Sequence, residues 1–232
     1  MDKILGGRSV VRNHLQWEKI VTPTRLFIPS SNISNAMCRV GEGACLDIII
    51  LAVDCDESTI QLTFELGKSS QLKCVILSES CKKFDVSVDS ILKGEWAISD
   101  IKSFFYGKNS DGQKFSISQT HDAMNSKSNV VSKTILDDSS ISEFYGKISI
   151  SENAENSKAR QSNNNILWSD GAQAISCPDL HIANSNVTCS HGATVGAIDG
   201  DTMFYMMSRG MDLPTCKQLV AEGAMLSVLA IP

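Results

Sequence analysis

The sequence predicts a mainly β protein closed by a short helical segment, and three observations lead to that expectation. Short runs of alternating or continuous apolar residues recur at roughly ten-residue spacing, each closed by turn-forming residues. Between about residues 40 and 195 no long amphipathic helical pattern interrupts them. Beyond residue 198 the hydrophobic period changes to that of a helix. The length, 232 residues with 42% hydrophobic side chains, is enough to build one large core or two small ones.

In chain order, the first 35 residues read as an arm with a mixed strand or extended stretch, Thr22-Pro-Thr-Arg-Leu-Phe-Ile-Pro29. The longest apolar run, Ile48-Ile-Ile-Leu-Ala-Val53, falls far short of the roughly 20 residues that span a bilayer. Strand patterns follow at Ser58–Phe64, Leu72–Leu77, Phe84–Val88, Lys114–Ser118, Lys147–Ile150 and Leu180–Ile182. Alternation alone leaves a sandwich, a barrel and a solenoid of stacked coils open. The 32 serines and 13 asparagines favour the solenoid, because polar turns can stack in ladders with strands about 4.8 Å apart. No strict repeat length is present, so a solenoid would be irregular.

The helical end begins with Asp199 or Asp201 as cap to a helix through Met203–Ser208, with Arg209 near its negative end and Gly210 as the stop. Asp212 then caps a second helix, with Pro214 in its first turn and Leu213, Cys216, Leu219, Val220 and Gly223 along one side. Boundaries are expected at 1–35 for the arm, 36–198 for the β core and 199–232 for the helical subdomain.

Composition removes several function classes. With 21 basic against 26 acidic residues, the formal charge of -5 argues against nucleic-acid binding. The N-terminus has no secretory h-region, so a cytoplasmic protein that does not enter membranes is expected, with its eight cysteines as reduced thiols. No two cysteines form C-x-x-C, which excludes zinc fingers, zinc ribbons and ferredoxin-type cluster cradles. Gly67-Lys68-Ser69 imitates the end of a phosphate-binding loop, but Leu62 stands where the first glycine is required.

The segment Val187-Thr-Cys-Ser-His-Gly-Ala-Thr-Val-Gly196 stands out. Read as a strand, it points Cys189 and His191 to one face and Ser190 to the other. Such a pair can serve a soft metal or a sulfide cluster, can form half of a Cys–His nucleophile, or can be a packed thiol beside a hydrogen-bonded core histidine.

That segment, followed by Phe204-Tyr-Met-Met-Ser-Arg-Gly-Met211, resembles the SufB/SufD family of iron–sulfur cluster assembly proteins. The resemblance extends back through Phe144–Ile150, Ala154, Gln161–Trp168 and Ala174–Ile182, covering about residues 130 to 225. It implies a right-handed parallel β-helix followed by a helical C-terminal subdomain. It also implies a non-catalytic scaffold that pairs with a SufB-type subunit through the β-helix cores and carries a SufC-type ABC ATPase on its helices. A transient cluster then forms at the scaffold interface, and a flavin is associated with complexes of this type, although no residues here identify a flavin site. Ala172 occupies the place of the SufB assembly cysteine, and His191 with Gly192 follows the SufD pattern, so the chain reads as SufD-like. His191 is then the candidate iron ligand, Cys189 its neighbour in the cofactor site, and Tyr205 with Arg209 candidates for ATPase docking. Cys177 and His181 are expected to be structural. Relative to the family pattern both ends are short, and Ala224 replaces an aromatic residue. A homodimer and a heterocomplex both stay open.

Two rivals are weighed against this reading. One is a structural interaction protein with the same fold and no cluster; the other is a β-solenoid carbohydrate-active enzyme, disfavoured by scattered acids and the missing signal sequence.

Overall fold

Alternation in the sequence becomes fourteen strands in the computed structural model, which describes residues 18–32, 34–198 and 200–229. All strand pairs are parallel, and they form two seven-stranded sheets. The first holds β1 (Glu18–Ile20), β3 (Asn35–Val40), β5 (Glu57–Leu66), β7 (Lys83–Leu92), β9 (Gly112–His121), β11 (Ile141–Ile150) and β13 (Gln173–Ile182). Interleaved with these, the second holds β2 (Thr24–Pro29), β4 (Cys45–Val53), β6 (Gln71–Glu79), β8 (Ile98–Gly107), β10 (Lys127–Leu136), β12 (Lys158–Leu167) and β14 (Thr188–Ala197). The chain therefore winds as a parallel β-solenoid of about six turns. Within the expected arm 1–35, β1 and β2 join the two sheets; residues 1–17 lie outside the described residues.

Coil length is irregular, as the missing repeat suggests. Glu57 lies beside Lys83, Lys83 beside Gly112, Gly112 beside Ile141 and Ile141 beside Gln173, steps of 26, 29, 29 and 32 residues. The turns absorb the differences while keeping one feature constant: a residue in the left-handed region on every coil. Ser69, Trp96, Asn125 and Asn156 form one such column, and Asp54, Ser80, Asn109 and Asp138 the other. Small polar residues suit this conformation best, and Asn156 Nδ2 donates to Asn125 Oδ1 at 2.7 Å. Trp96 is the exception, a bulky exposed side chain at φ 62°.

Inside the early coils the core is apolar: Ile60, Leu62, Phe64 and Leu66 of β5 all face inward and are buried. Phe84, Phe105, Phe115 and Phe144 continue it as a stack with ring centroids 5.7–5.9 Å apart. Such edge-on aromatic pairs add about 0.5–1.5 kcal/mol each beyond burial. Later coils carry polar side chains inward. His121 is fully buried, with Nδ1 2.6 Å from Ser126 Oγ and Nε2 2.7 Å from Ser128 Oγ.

Two expectations are corrected. Cys55 and Cys81 form a disulfide across 26 residues, so not all eight thiols are free. Coil stacking is the cause: it brings these two turn residues to a Cα separation of 4.5 Å, within the span a disulfide bridges. The second correction concerns the face of the last helix. After α1 (Gly200–Ser208), which Gly210 stops at φ 91°, α2 runs over Leu213–Leu229 with Asp212 Oδ1 accepting from Thr215 N. Asp199 lies outside the described residues. Rather than forming an isolated hairpin, α2 lies on the outer face of the second sheet, placing Ala221, Ala224, Met225, Val228 and Leu229 against Val75, Phe104, Tyr106 and Ile135. Leu219, expected on the inward side, is exposed, because the flank of the sheet and not α1 is the main apolar partner. No helix among the described residues is long and apolar enough to cross a membrane.

Candidate functional site

The last coil exposes what every earlier coil covers. β14 pairs only with β12, and β13 only with β11, so each leaves one edge without a strand partner. Register sets their inward positions: Cys189, His191, Ala193 and Val195 lie over Ala159, Gln161, Asn163 and Asn165. From β13, Ser176, Pro178 and Leu180 lie over Phe144, Gly146 and Ile148. The residues beneath are buried, whereas His191, Ala193 and Val195 are exposed. The uncovered end thus presents apolar side chains, a thiol and an imidazole on one strand face.

Cys189 and His191 do share a face, as their spacing requires, with Ser190 turned outward. Their environments differ. Cys189 is half-buried against the cluster of Ile148, Ile150, Ala154 and Ala159, and burial pushes its thiol pKa up. That direction disfavours the thiolate and so weighs against a Cys–His nucleophile. His191 stands in solvent at the rim. Directly beneath it is Gln161, a buried amide whose Oε1 has no hydrogen-bond partner among the described residues. Gln161 can lie there only because residue 146 is glycine: a Cβ at Gly146 would come within 1.7 Å of Gln161 Nε2. Sequence reasoning missed this support, since the two residues meet only through the stacking of coils.

Among the described residues no group of three or more His, Cys, Asp or Glu side chains converges on a metal-sized site. A neutral imidazole binds iron, but one histidine does not hold a cluster, so any cluster at this rim takes its other ligands from elsewhere.

Cys177 and His181 are placed apart from this pair. Both point to the outer face of the first sheet, Cys177 beside Tyr145 and His181 bonded through Nε2 to Asp179 at 2.8 Å. Ala172 is buried in a turn, its N–H donating to the Ser169 carbonyl. Tyr205 of α1 and Arg209, just past its end, sit together, the guanidinium 5.1 Å over the phenol ring. Around them a second uncovered apolar surface extends over Phe204, Tyr205 and Met207 of α1 and Leu219 and Leu226 of α2, with Phe204 75% exposed.

A groove of about 640 Å³ lies beneath α2 and is lined by Tyr106, Lys108, Asp137 and Lys217 among others. Lys217 Nζ reaches Asp137 Oδ2 at 2.6 Å across it, and Ser169 also donates to Asp137. This pins the helix to the solenoid.

Comparison with known proteins agrees with the geometry. The family described as "SUF system FeS cluster assembly, SufBD core domain" matches residues 29–224. The chain is 38% identical to the iron–sulfur cluster assembly protein SufD of Escherichia coli over 88 residues, 38% of this chain and 21% of that one. Against a SufBD family iron–sulfur cluster assembly protein of Synechocystis, identity is 34% over 111 residues, 46% and 24% of the respective chains. Bacillus subtilis SufD is 28% identical over 138 residues, 60% and 32% of the two chains. The chain thus spans between a fifth and a third of the length of these relatives.

Proposed function

Because this chain belongs to the SufB/SufD family of iron–sulfur cluster assembly proteins, on its SufD-like side, we propose that it is a non-catalytic scaffold subunit whose last coil receives a SufB-type partner. The observation that carries the proposal is the uncovered rim of β13 and β14, where unpaired strand edges stand beside His191 and Cys189. A partner adding strands there would satisfy the free backbone donors and acceptors and cover Val195 and Ala193. It would also supply the ligands that His191 lacks, so that a nascent cluster, the cargo of the reaction, is held between two chains. Incomplete ligation on each side suits a scaffold, because the cluster has to leave. The apolar surface of α1 and α2 around Tyr205 and Arg209 is the proposed seat of a SufC-type ABC ATPase, to which ATP hydrolysis belongs.

The test is co-expression with the SufB- and SufC-type subunits of the same organism, followed by size-exclusion chromatography with mass determination. A complex with one copy of this chain and two ATPases is expected. In that complex His191→Ala is expected to leave mass and melting temperature unchanged while lowering retained iron and sulfide roughly tenfold or more, the scale on which disturbed ligation acts. A chain that elutes alone would sink the scaffold reading. The second reading, a SufD-fold interaction protein without a cluster, predicts an intact complex in which His191→Ala changes nothing; that no group of three or more metal-ligating side chains converges among the described residues favours keeping it.

A further inference from the structure

Charges on this solenoid are generally matched from coil to coil. Arg25 meets Asp47 at 3.2 Å, Arg39 meets Glu65 at 2.7 Å, and Lys82 and Lys83 meet Asp56 and Glu57 at 2.6 Å each. One patch departs from this rule. On the outer face of the second sheet Lys127 of β10 lies in register beside Lys158 of β12, and Arg160, two residues along β12, emerges on the same face. Neighbouring strands are about 4.8 Å apart, so three positive charges are gathered within a few strand spacings. Among the described residues none of the three forms an ion pair or a hydrogen bond through its side chain.

The nearby carboxylates are engaged elsewhere. Asp100 accepts from Asn129 Nδ2 at 2.8 Å, and Glu155 accepts from Asn186 Nδ2 at 2.9 Å. Lys127, Lys158 and Arg160 instead line an open groove of about 490 Å³ together with Lys73 and the hydroxyls of Thr188 and Ser190, Asp100 being its one carboxylate. Register places Lys73 between Asp47 and Asp100, so its charge is balanced within the sheet. The other three are not balanced, and the groove around them offers hydrogen-bond donors: two ammoniums, one guanidinium fork and two hydroxyls.

We propose that this groove binds a small anion carrying two or more phosphate groups. A single carboxylate would neutralise one of the three charges, whereas linked phosphates present several negative charges in one small ion. Arg160 supplies the planar fork that takes two phosphate oxygens, and Lys127 and Lys158 act as point charges on the next group. The site is on the opposite face of β14 from the rim pair: Ser190 turns into the groove where Cys189 and His191 turn inward. It is therefore independent of the scaffold reading, and a chain that pairs with no partner would still bind the anion.

Isothermal titration calorimetry of the whole chain with inorganic pyrophosphate tests this directly. Saturable one-to-one binding is expected with a dissociation constant below about 1 mM, weakening as sodium chloride is added because exposed charges are screened. Lys158→Ala combined with Arg160→Ala should weaken it at least tenfold, while Lys114→Ala, on the other sheet, should not. Should the alanine pair fail to fold, Lys127→Gln with Lys158→Gln keeps most of each stem and removes the charge, and circular dichroism verifies its fold. The proposal is overturned by absence of saturable heat, by unchanged affinity in the folded charge-removing variants, or by a groove that takes polyglutamate and not pyrophosphate.

Discussion

His121 shows what a solenoid interior does to a single side chain. It is fully buried between two serine hydroxyls, and burial pushes its pKa down to about 4, against about 6.5 for a solvated histidine. The folded chain therefore holds the ring neutral at a pH where the unfolded chain already binds a proton. Stability from this residue is complete above about pH 6.5 and is lost as pH falls from there towards 4, a loss on the order of 3 kcal/mol. Unfolding by urea at a series of pH values should show that slope, and His121→Gln should flatten it while keeping a hydrogen-bonding side chain in the site. Parallel pH profiles for the two proteins would refute the assignment. His191 contrasts with it: the same residue type, in the last coil, remains in solvent.

At the scale of elements, α2 is held to the sheet by side chains alone. Its attachment includes one apolar strip, Ala221 to Leu229 against Val75, Phe104, Tyr106 and Ile135, with Lys217 to Asp137 and over the Trp168 ring and Lys133 Nζ to Ser227 Oγ at 2.6 Å. None of these bonds belongs to a sheet, so the helix can leave while the solenoid stays paired. Ala221→Asp places an unpaired charge in the strip and should release the helix. Trypsin would then cut at Lys217 several-fold faster, with the amide exchange of β8 and β10 little changed. Simultaneous unfolding of helix and sheets would show that α2 is part of the cooperative core. The strip also decides what is left for a partner, since seating Ala221 and Val228 inward turns Leu219 and Leu226 out.

Across the whole molecule, protection should run as a gradient. Strands of the middle coils have a partner on both sides and an apolar or hydroxyl-bonded interior; β13 and β14 have a partner on one side and an open interior. Hydrogen exchange of the isolated chain should be fastest in 173–197 and slowest in β5 to β8, and addition of a SufB-type partner should slow the fast segment alone. Equal exchange through all coils, or protection appearing elsewhere on partner addition, would place the interface on another surface. The Cys55–Cys81 bond ties consecutive turns of an early coil, far along the chain from that open end.

Much of this was legible in the residues. Apolar alternation located β5, β6, β7, β9, β11 and β13 because it depends on neighbours two positions apart. The caps of the two helices were legible for the same local reason, with Gly210 and Asp212 acting within one turn. β12 escaped notice: its inward residues Gln161, Asn163 and Asn165 are polar, so no hydrophobic period marks them. The Cys189–His191 pair was visible as a motif, but its place on an uncovered rim was not. By itself the sequence determined the β class and several of the strands, the stop of α1 at Gly210 and the start of α2 at Asp212, the shared face of that pair and, through resemblance, the family. Only the tertiary structure decided which residues meet, including Gln161 with Gly146, Cys55 with Cys81, Lys127 with Lys158, and α2 with its sheet. Those meetings join residues far apart in the chain, across coils whose turns are of unequal length, and no local pattern encodes a register of that kind.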